Sequence, residues 1–517
     1  MRPWIGGLCL LAACGTHRVM ISRPAPATRQ TAPAPLPPAR SPDSSRAREL
    51  VRHSVVGPLQ SLFRSSHRSE AYNVTSADEV ADDAWFVSPA RDRMAGRDSA
   101  TEPDTSAPWT VVSWRRVSAL PVLTIRDARG RDYWLTFDAP EFPELATTVE
   151  VVTAQLYRAA GYHVPTVALL RFDPDRQLAF SPDSLRDALA GLPRRGTRIR
   201  TAAHHLPGRA LGTFSFSGHR DDDPADTIPH EQRRELRGLY VVAAWLNHTG
   251  LFRGTTLDVG IDDGTPAVRH YLLGLETTLD AAAGGRPKVA RTGHEATWDA
   301  GKIAGRLLTL GFFAVRWERG GAAEFDPGHW TPSFPNTAFA RRTTRDGYWG
   351  AKRVGDISNE QIAAAVWAAQ PSDSMRARAL SEMLRARRTA TLRYWYSRVT
   401  AFDALAIGGA GQEQTLEFRD LMVGEGLAAA GPRSYHIRAS WSVVRTASAS
   451  LSSVGSGSIH LPPWRACSEN LLAGLPNEQR VGWIDIRAAD LEVKPRALRL
   501  FVLCESGREY RLVGWRY

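Results

Sequence analysis

The chain has 517 residues, carries a formal net charge of +11 and is 43% hydrophobic. That length suffices for two or three domains, each with its own hydrophobic core. Beyond the first residues there is no apolar run long enough to form a transmembrane helix. The positive charge is nearly all arginine, because the chain contains only four lysines: Lys288, Lys302, Lys352 and Lys494.

The N-terminus has the pattern of an export signal. Arg2 is followed by a short apolar stretch, Trp4 to Ala13, which ends in Leu11-Ala12-Ala13-Cys14. This ending is typical of a bacterial lipobox, in which the signal peptide, residues 1–13, is removed and Cys14 is lipidated. Gly15 follows, so there is no aspartate to retain the protein in the inner membrane, and the outer membrane is favoured. An ordinary secretory signal with an incidental Cys14 is the alternative.

Residues 14–67 have the composition of a disordered tether. Ala, Arg, Ser and Thr surround seven prolines: Pro24, Pro26, Pro33, Pro35, Pro37, Pro38 and Pro42. Such a segment cannot bury enough apolar surface to fold, so we expect an extended spacer. An exported protein rarely meets nucleic acid, so we expect none as a partner. The membrane, through the lipid, and an envelope protein or glycan are the expected partners.

Strands precede helices in residues 68–400, which predicts an α+β domain. Strands are expected at Val111–Ser113, Val122–Arg126 and Asp132–Phe137. Thr147 and Glu150 have the spacing of a capping box at the start of a helix that ends before Gly161. Later helices are expected at Ser181–Gly191, Pro229–Asn247, Ser358–Gln370 and Ser374–Tyr396.

Residues 401–517 are expected to form a separate antiparallel β domain, most simply a sandwich. Apolar and polar residues alternate from Tyr435 to Val443 and again from Leu498 to Cys504. Cys467 and Cys504 are the only cysteines after the signal region, and an exported protein meets an oxidising compartment. A Cys467–Cys504 disulfide is therefore predicted, with two unpaired buried thiols as the alternative. No CxxC or HExxH motif indicates a metal, and no cofactor is expected.

Residues 71–400 resemble a family of exported bacterial proteins with a kinase-like core, distantly related to HipA-type and phosphatidylinositol-kinase-like enzymes. The matching stretches include Asn73-Val74, Asp78-Glu79-Val80, Trp85-Phe86, Thr124 to Asp127, Phe137-Asp138, Glu150 to Val152, Ala160 to Pro165, Pro229 to Gly238, Ala243 to His248, Phe325 to Pro327, Trp330, Pro332, Pro335-Asn336 and Ala338-Phe339. The resemblance implies a two-lobed fold with a cleft between a strand-rich and a helical part.

The resemblance also implies that the catalytic charges are missing. Phosphoryl transfer needs a lysine on the phosphates, an aspartate that orients the acceptor, and side chains that hold Mg²⁺. In members with an intact pattern the lysine precedes Phe-Asp, and here that position is Thr136. The remaining positions fall as follows: the aspartates at Thr249 and Gly250, the asparagine at Thr255, the Asp-Phe-Gly triplet at Gly274-Leu275-Glu276 and a hairpin glycine at Val122.

Two observations on the sequence agree with this interpretation. No lysine precedes Lys288, so the first lobe cannot supply one to a phosphate. No glycine occurs from Val111 to Arg129, so that stretch cannot form a glycine-rich phosphate loop. The kinase-like fold is therefore expected to be retained without phosphoryl-transfer activity.

Several remaining polar residues have two interpretations each. Glu150 is either the helix glutamate that pairs with a lysine in kinases or, as favoured here, part of the Thr147 capping box. Asp258 is a metal ligand or a turn residue, and Glu276 with Asp280 is a substitute carboxylate pair or two solvated acids. An exposed ion-pair face is the favoured interpretation of His230, Arg233, Arg234 and Arg237. A pair at the surface is the favoured interpretation of His204-His205.

Two functions follow from these patterns. The first is a membrane-anchored lipoprotein whose inactive kinase-like domain, or β domain, binds a protein or glycan in the cell envelope. The second is an unorthodox nucleotide-dependent transferase that uses Glu276 or Asp258 for metal. No Gly-x-Ser-x-Gly elbow occurs, which disfavours a hydrolase.

The lipobox makes a direct prediction about Cys14. Replacing it, as Cys14→Ala, should remove the protein from the membrane fraction or leave it unprocessed, because the cysteine thiol carries the lipid. Mass spectrometry of the mature N-terminus measures this outcome. An unmodified N-terminus that begins elsewhere would show that the signal is an ordinary secretory one.

Overall fold

The computed structural model describes residues 69–88, 102–117, 119–261, 267–282, 284–287, 325–409, 413–441, 449–461, 480–491, 493–504 and 510–517. The predictions for the signal peptide, the tether, Cys14 and Cys467 concern residues outside this part of the chain. No helix within it is both long and apolar enough to cross a membrane.

The upper lobe is an antiparallel sheet with helices on both faces. Its strands are β1 Thr110–Val117, β2 Leu120–Arg126, β3 Asp132–Phe137, β4 Thr166–Phe172, β5 Arg194–Arg195 and β6 Arg198–His205. The strand order is β1-β2-β3-β6-β4, with β5 beside β6. The helices are α1 Leu145–Ala159, α2 Pro174–Gln177 and α3 Asp183–Ala190.

Alternation along the strands explains why this sheet has two apolar faces. Leu123, Ile125 and Leu135 are fully buried in a small core that also contains Leu185 and Leu189 of α3. The opposite face packs on α1 and belongs to the main core of the molecule. The β2–β3 hairpin expected from the sequence is confirmed, and β1 is longer than its expected range.

The lower lobe is mainly helical. Its helices are α4 Arg234–Trp245, α5 Thr337–Arg341, α6 Thr344–Gly355, α7 Asn359–Ala368 and α8 Ser374–Tyr396. Its strands are β7 Arg209–Gly212, β8 Thr256–Ile261, β9 Ala267–Leu272, β10 Ala281–Ala282 and β11 Arg286–Pro287. The Ser358–Gln361 capping box of α7 and the bounds of α8 are confirmed. The predicted helix start at Pro229 is wrong, because Arg233 is extended and only a 3₁₀ turn precedes it.

The C-terminal part contains two antiparallel sheets, as expected for a sandwich. The strands are β12 Phe402–Gly408, β13 Thr415–Asp420, β14 Arg433–Trp441, β15 Ala449–Gly455, β16 Ser458–His460, β17 Val481–Ala488, β18 Leu498–Cys504 and β19 Tyr510–Arg516, with a short helix α9 Leu421–Gly424. The sheet orders are β12-β13-β16 and β15-β14-β17-β18-β19. Cys504 is buried at the end of β18, and its predicted bridge to Cys467 stays a prediction.

The two parts of the chain share one continuous apolar core. Buried residues of α1, α4 and α8 belong to the same cluster as Ile437 and Leu500 of the C-terminal sheets. The Phe402 and Phe418 rings stack at a centroid distance of 3.7 Å on this core. The α+β class predicted from the sequence is confirmed, with the β sheets packed firmly on the helical lobe.

Residues 69–88, which we call the N-terminal strap, cross the molecule and join its parts through buried charges. Asp78 accepts hydrogen bonds from Arg234 (2.7 Å) and from Arg345, and the Tyr517 N–H also lies on it at 3.3 Å. Arg234 is fully buried and also donates to Asp346 at 3.2 Å. The strap therefore connects α4, α6 and the C-terminus through one ion network.

This network overturns the prediction of an exposed ion-pair face at the start of α4. All four basic residues are buried: His230, Arg233, Arg234 and Arg237. The prediction is wrong because each arginine also has an acidic partner that is distant in sequence. Asp83 pairs with Arg233 at 2.9 Å, and Asp346 pairs with Arg237 at 3.4 Å.

Asp78 should be essential to stability. Burial alone raises the pKa of its carboxyl group, but the adjacent Arg234 and Arg345 guanidinium groups outweigh burial and lower that pKa below 3.8. Replacing it, as Asp78→Asn, should reduce the free energy of unfolding by about 3–5 kcal/mol, because two buried guanidinium groups lose their counter-charge. Because the folded pKa lies below the unfolded one, the stabilisation is present at neutral pH and is lost as the pH falls through the folded pKa.

Urea denaturation followed by tryptophan fluorescence measures this change. Asp132→Asn is the matched control, since Asp132 pairs with Arg126 on the surface, where both side chains are about half exposed. That change should cost about 1 kcal/mol or less. Equal effects of the two substitutions would contradict the role assigned to the buried network.

Candidate functional site

The first part of the site lies on one face of the upper-lobe sheet, where β3 and β6 are neighbours. Register places Thr136 of β3 opposite Ala202 of β6, and Trp134 opposite His204. Helix α1 packs across this face and brings Glu150 onto it, where the carboxylate is 2% exposed. Thr136 and Glu150, predicted from the sequence as positions of a degenerate kinase site, therefore meet at one point.

Glu150 has two partners at that point, both on the same carboxylate oxygen. The Thr136 hydroxyl donates to Glu150 Oε2, and His204 Nε2 lies 3.1 Å from the same oxygen. His204 is itself buried, and its ring stacks on Trp134 at a centroid distance of 5.0 Å. Where a kinase pairs this glutamate with a lysine, this chain surrounds it with a hydroxyl and an imidazole.

The capping-box interpretation of Thr147 and Glu150 is wrong. Helix α1 begins at Leu145, and Glu144 is its N-cap, with φ 70° and no side-chain capping bond. The Thr147 N–H and hydroxyl instead both donate to Asp138, at 2.9 and 2.8 Å. Thr147 therefore bonds to Asp138, which follows the preceding strand, and does not cap the helix. Glu150 lies well inside α1.

The prediction of a surface pair at His204-His205 is also wrong for His204. The two residues end β6, so their side chains point to opposite faces of the sheet. His205 is partly exposed and lies 3.0 Å from the Asp132 carbonyl oxygen, whereas His204 faces the cleft. No strand is predicted there, because Arg200 to His204 does not alternate between polar and apolar residues.

The lower side of the cleft brings Thr255 and Gly274 together. Thr255 donates from its hydroxyl to the Gly250 carbonyl oxygen at 2.8 Å, and its carbonyl accepts from Leu273 at 2.9 Å. Gly274 has φ 75°, and a Cβ there would lie 2.8 Å from Thr255 Cγ2. Thr249 is buried beside them in the loop after α4. Uncharged groups therefore occupy the positions of Thr249, Thr255 and Gly274, and Thr255 packs closely on Gly274.

Asp258 is neither a turn residue nor placed as a metal ligand. It lies in β8, where its two carboxylate oxygens contact Arg220 Nη1 at 2.8 Å and His270 Nδ1 at 2.7 Å. Burial raises the pKa of Asp258, but these two partners outweigh it and lower that pKa below 3.8. Burial is also the main reason that the pKa of His270 is lowered.

Glu276 and Asp280 do not form the pair of solvated acids favoured from the sequence. Asp280 accepts from Asn247 at 2.6 Å and from Arg387 at 2.7 Å, so it belongs to an ion pair within the lower lobe. Glu276 is half-buried in a 3₁₀ turn. Within the described part of the chain, no group of three or more His, Cys, Asp or Glu side chains is arranged to hold a metal ion.

Several hydrogen bonds connect the two lobes near α1. Arg200 of β6, which the sequence did not single out, donates to the carbonyl oxygens of Ala369 (2.6 Å) and Gln370 (3.0 Å) at the end of α7. The Ser372 N–H donates to Glu144 at 2.9 Å, and the hydroxyl groups of Thr153 and Thr278 are 2.6 Å apart. The lobes are thus joined along the length of α1.

No protein-family model matches the chain, and no curated protein matches it. Among solved structures, it is similar to the Helicobacter pylori proinflammatory kinase CtkA, with 9% identity, a TM-score of 0.31 and coverage of 57% of this chain and 98% of that chain. It is also similar to the Golgi casein kinase with Mn/ADP bound, with 8% identity, a TM-score of 0.30 and coverage of 63% and 78%. Likenesses this weak carry no weight in the assignment of function.

The fold is kinase-like by its own order of elements. A kinase has a strand hairpin, a third strand with the lysine, a helix with the glutamate, a catalytic loop and then an Asp-Phe-Gly triplet. Here the β1–β2 hairpin, β3 with Thr136, α1 with Glu150, the loop after α4 and the segment at Gly274 follow in that order. The described elements therefore follow the order that the family resemblance implies.

The contacts of Glu150 predict its contribution to stability. Replacing it, as Glu150→Ala, should lower the free energy of unfolding by about 1–3 kcal/mol, because the Thr136 hydroxyl and the His204 ring lose their buried partner. Glu382→Ala, at an exposed position of α8, is the control and should change stability by about 0.5 kcal/mol or less. Chemical denaturation measures both, and an effect of Glu150→Ala no larger than the control would contradict this geometry.

Proposed function

We propose that this protein is a membrane-anchored lipoprotein whose kinase-like domain is catalytically inactive and which acts by binding a partner in the cell envelope. The anchor is the lipid predicted on Cys14, and the relationship is to exported kinase-like proteins with a degenerate site. The partner is a protein or a glycan, and the outer membrane is the proposed location.

One observation carries the proposal of inactivity. Glu150 is bonded to Thr136 and His204, at the point where a kinase needs a lysine that reaches the phosphates. A lysine amine presents three donors on a long flexible stem, whereas the threonine hydroxyl is short and uncharged. The upper lobe therefore offers no lysine to neutralise a triphosphate.

The lower lobe supports the same conclusion. By the family resemblance, Thr255 and Gly274 correspond to the two Mg²⁺ ligands of a kinase, and neither side chain carries a carboxylate or an amide oxygen. Asp258, three residues after Thr255, is bonded to Arg220 and His270. The metal-dependent transferase considered from the sequence therefore loses Asp258 and retains only Glu276.

Restrained lobes also disfavour turnover. Kinases close their lobes around the nucleotide and reopen them to release product. In this chain Arg200 and the Thr153–Thr278 contact fix α1 to the lower lobe. These contacts would have to break for the lobes to open, which favours a binding role over a catalytic cycle.

The proposal predicts that no phosphoryl group is transferred. Purified protein incubated with γ-labelled ATP and Mg²⁺ or Mn²⁺, alone or with generic acceptor proteins, should incorporate no label. Thr136→Lys should also give none, because restoring the lysine leaves both metal positions without ligands. Losing one preorganised charge typically costs about 10²–10³ in rate, and here several are lost together.

The informative control in this assay is Glu276→Ala. Reproducible transfer by the unmodified chain that disappears in Glu276→Ala would overturn the proposal and establish the unorthodox transferase. Transfer that persists in Glu276→Ala points to a contaminating kinase, which a repeat with protein from a second purification route identifies.

A further inference from the structure

One contact between the lobes is made by five residues that are bonded to one another. Arg200 donates to the carbonyl oxygens of Ala369 and Gln370, at 2.6 and 3.0 Å. Glu144 lies 3.7 Å from Arg200 and accepts a hydrogen bond from the Ser372 N–H at 2.9 Å. A residue within three positions of these five lies within about 11 Å of one of them, because three residues of chain span no more than that.

Three large apolar side chains are exposed within that distance. They lie two or three residues from the bonded residues and are 36%, 47% and 69% exposed, respectively: Phe142, Trp367 and Met375. The buried residues of α7 are Ile362, Ala365 and Val366, so Trp367 projects away from the core on the other side of this helix. Exposed apolar side chains gathered at one place are typical of sites that contact a protein or a membrane.

A basic hairpin borders these apolar side chains. Arg195 of β5 pairs with Arg198 of β6 around a turn in which Gly196 has φ 65°. Arg198 lies two residues before Arg200 and so belongs to the same face of β6. Arg194 is also exposed, and it contacts the Leu189 carbonyl oxygen at 3.4 Å. Within the described residues, neither Arg195 nor Arg198 takes part in an ion pair.

Nearby acidic side chains offset this positive charge only in part. Glu144 is shared by Arg171 and Arg200, and Asp373 pairs with Arg376 at 3.3 Å. Glu141, exposed after β3, is one acid against the three arginines of the hairpin. We call the whole surface the joint patch, and its members are Phe142, Arg194, Arg195, Arg198, Trp367 and Met375.

We propose that the joint patch binds the surface of a bilayer that contains anionic phospholipids, with its arginines on lipid phosphates and its apolar side chains among the upper acyl chains. This inference rests on the proposed function, in which lipid on Cys14 anchors the chain, and it adds a second contact with the same membrane. A guanidinium group binds phosphate oxygens through two parallel hydrogen bonds. Aromatic rings beside basic side chains are typical of proteins that lie on a membrane surface.

The chain that precedes the folded part favours a bilayer over a protein as the occupant. Residues 14–67 contain eight arginines and only two acids, Asp43 and Glu49, so the tether expected from the sequence is also attracted to anionic lipid. A random coil of that length has an r.m.s. span of about 40 Å, which keeps the folded part close to the membrane that holds the lipid. Each arginine near an anionic bilayer favours the bound state by about fivefold, so the three of the hairpin contribute about 100-fold together.

Hydrogen exchange of the full-length lipidated protein in lipid nanodiscs tests this inference. Discs of phosphatidylcholine are compared with discs in which about one-third of the lipid is phosphatidylglycerol. At about 50 mM salt, backbone amides in segments 139–144, 193–199 and 366–376 should exchange about tenfold or more slowly on the anionic discs than on the neutral ones. At about 500 mM salt this difference should disappear, because the lipid charge is screened.

Two variants separate the charged from the apolar part of the patch. Arg194→Ser, Arg195→Ser and Arg198→Ser together should abolish the protection on anionic discs. The matched control removes the same charge from exposed positions outside the patch, and it should keep the protection: Arg209→Ser, Arg438→Ser and Lys494→Ser. If the hairpin variant does not fold, Trp367→Ser with Met375→Ser tests the same surface and should reduce the protection several-fold.

Equal exchange on neutral and anionic discs would overturn the inference, and so would equal behaviour of the hairpin variant and its control. Protection on neutral discs that appears only when envelope proteins are added would assign the patch to a protein and would also overturn it. The mass of the mature N-terminus, measured on the same sample, tests the anchor separately. A chain without lipid would overturn the anchored protein of the proposed function, and its exchange in the presence of the same discs would still test the patch.

Discussion

The rest of the cleft depends on the need to satisfy the buried carboxylate of Glu150. A buried carboxylate is costly unless it is hydrogen-bonded or paired, and this chain has no lysine in the upper lobe to pair with it. Thr136 and His204 fill that need from two neighbouring strands. Once those bonds are made, α1 is fixed on the sheet, and the contacts of Thr153 and Arg200 with the lower lobe follow from its position.

Local patterns predicted the parts whose partners are near in sequence. The β2–β3 hairpin and the bounds of α8 followed from alternation and from cap residues, and the structure has them where expected. Thr136 and Glu150 were proposed as degenerate positions from a family resemblance. The register of β3 and β6 then showed where Thr136 lies relative to its neighbours.

The sequence misled where a distant group outcompetes a local one. Thr147 was expected to cap α1, but Asp138 of the preceding strand end takes both its donors. The arginines of α4 were expected on the surface, but Asp78 and Asp346 bury them. Neither partner can be read from spacing, because Arg234 and Asp78 are brought together only by the course of the N-terminal strap.

The central claim is that the cleft does not receive a metal–nucleotide complex, and thermal unfolding with ATP tests it most directly. A ligand that binds only the folded state must raise the melting temperature, by an amount that grows with the logarithm of its concentration once that exceeds Kd. The account predicts the same melting temperature with ATP and Mg²⁺ or Mn²⁺ as with the metal alone. A rise that increases with ATP concentration and disappears in Glu276→Ala would contradict it, because it would show that the cleft binds nucleotide through a metal held at that carboxylate.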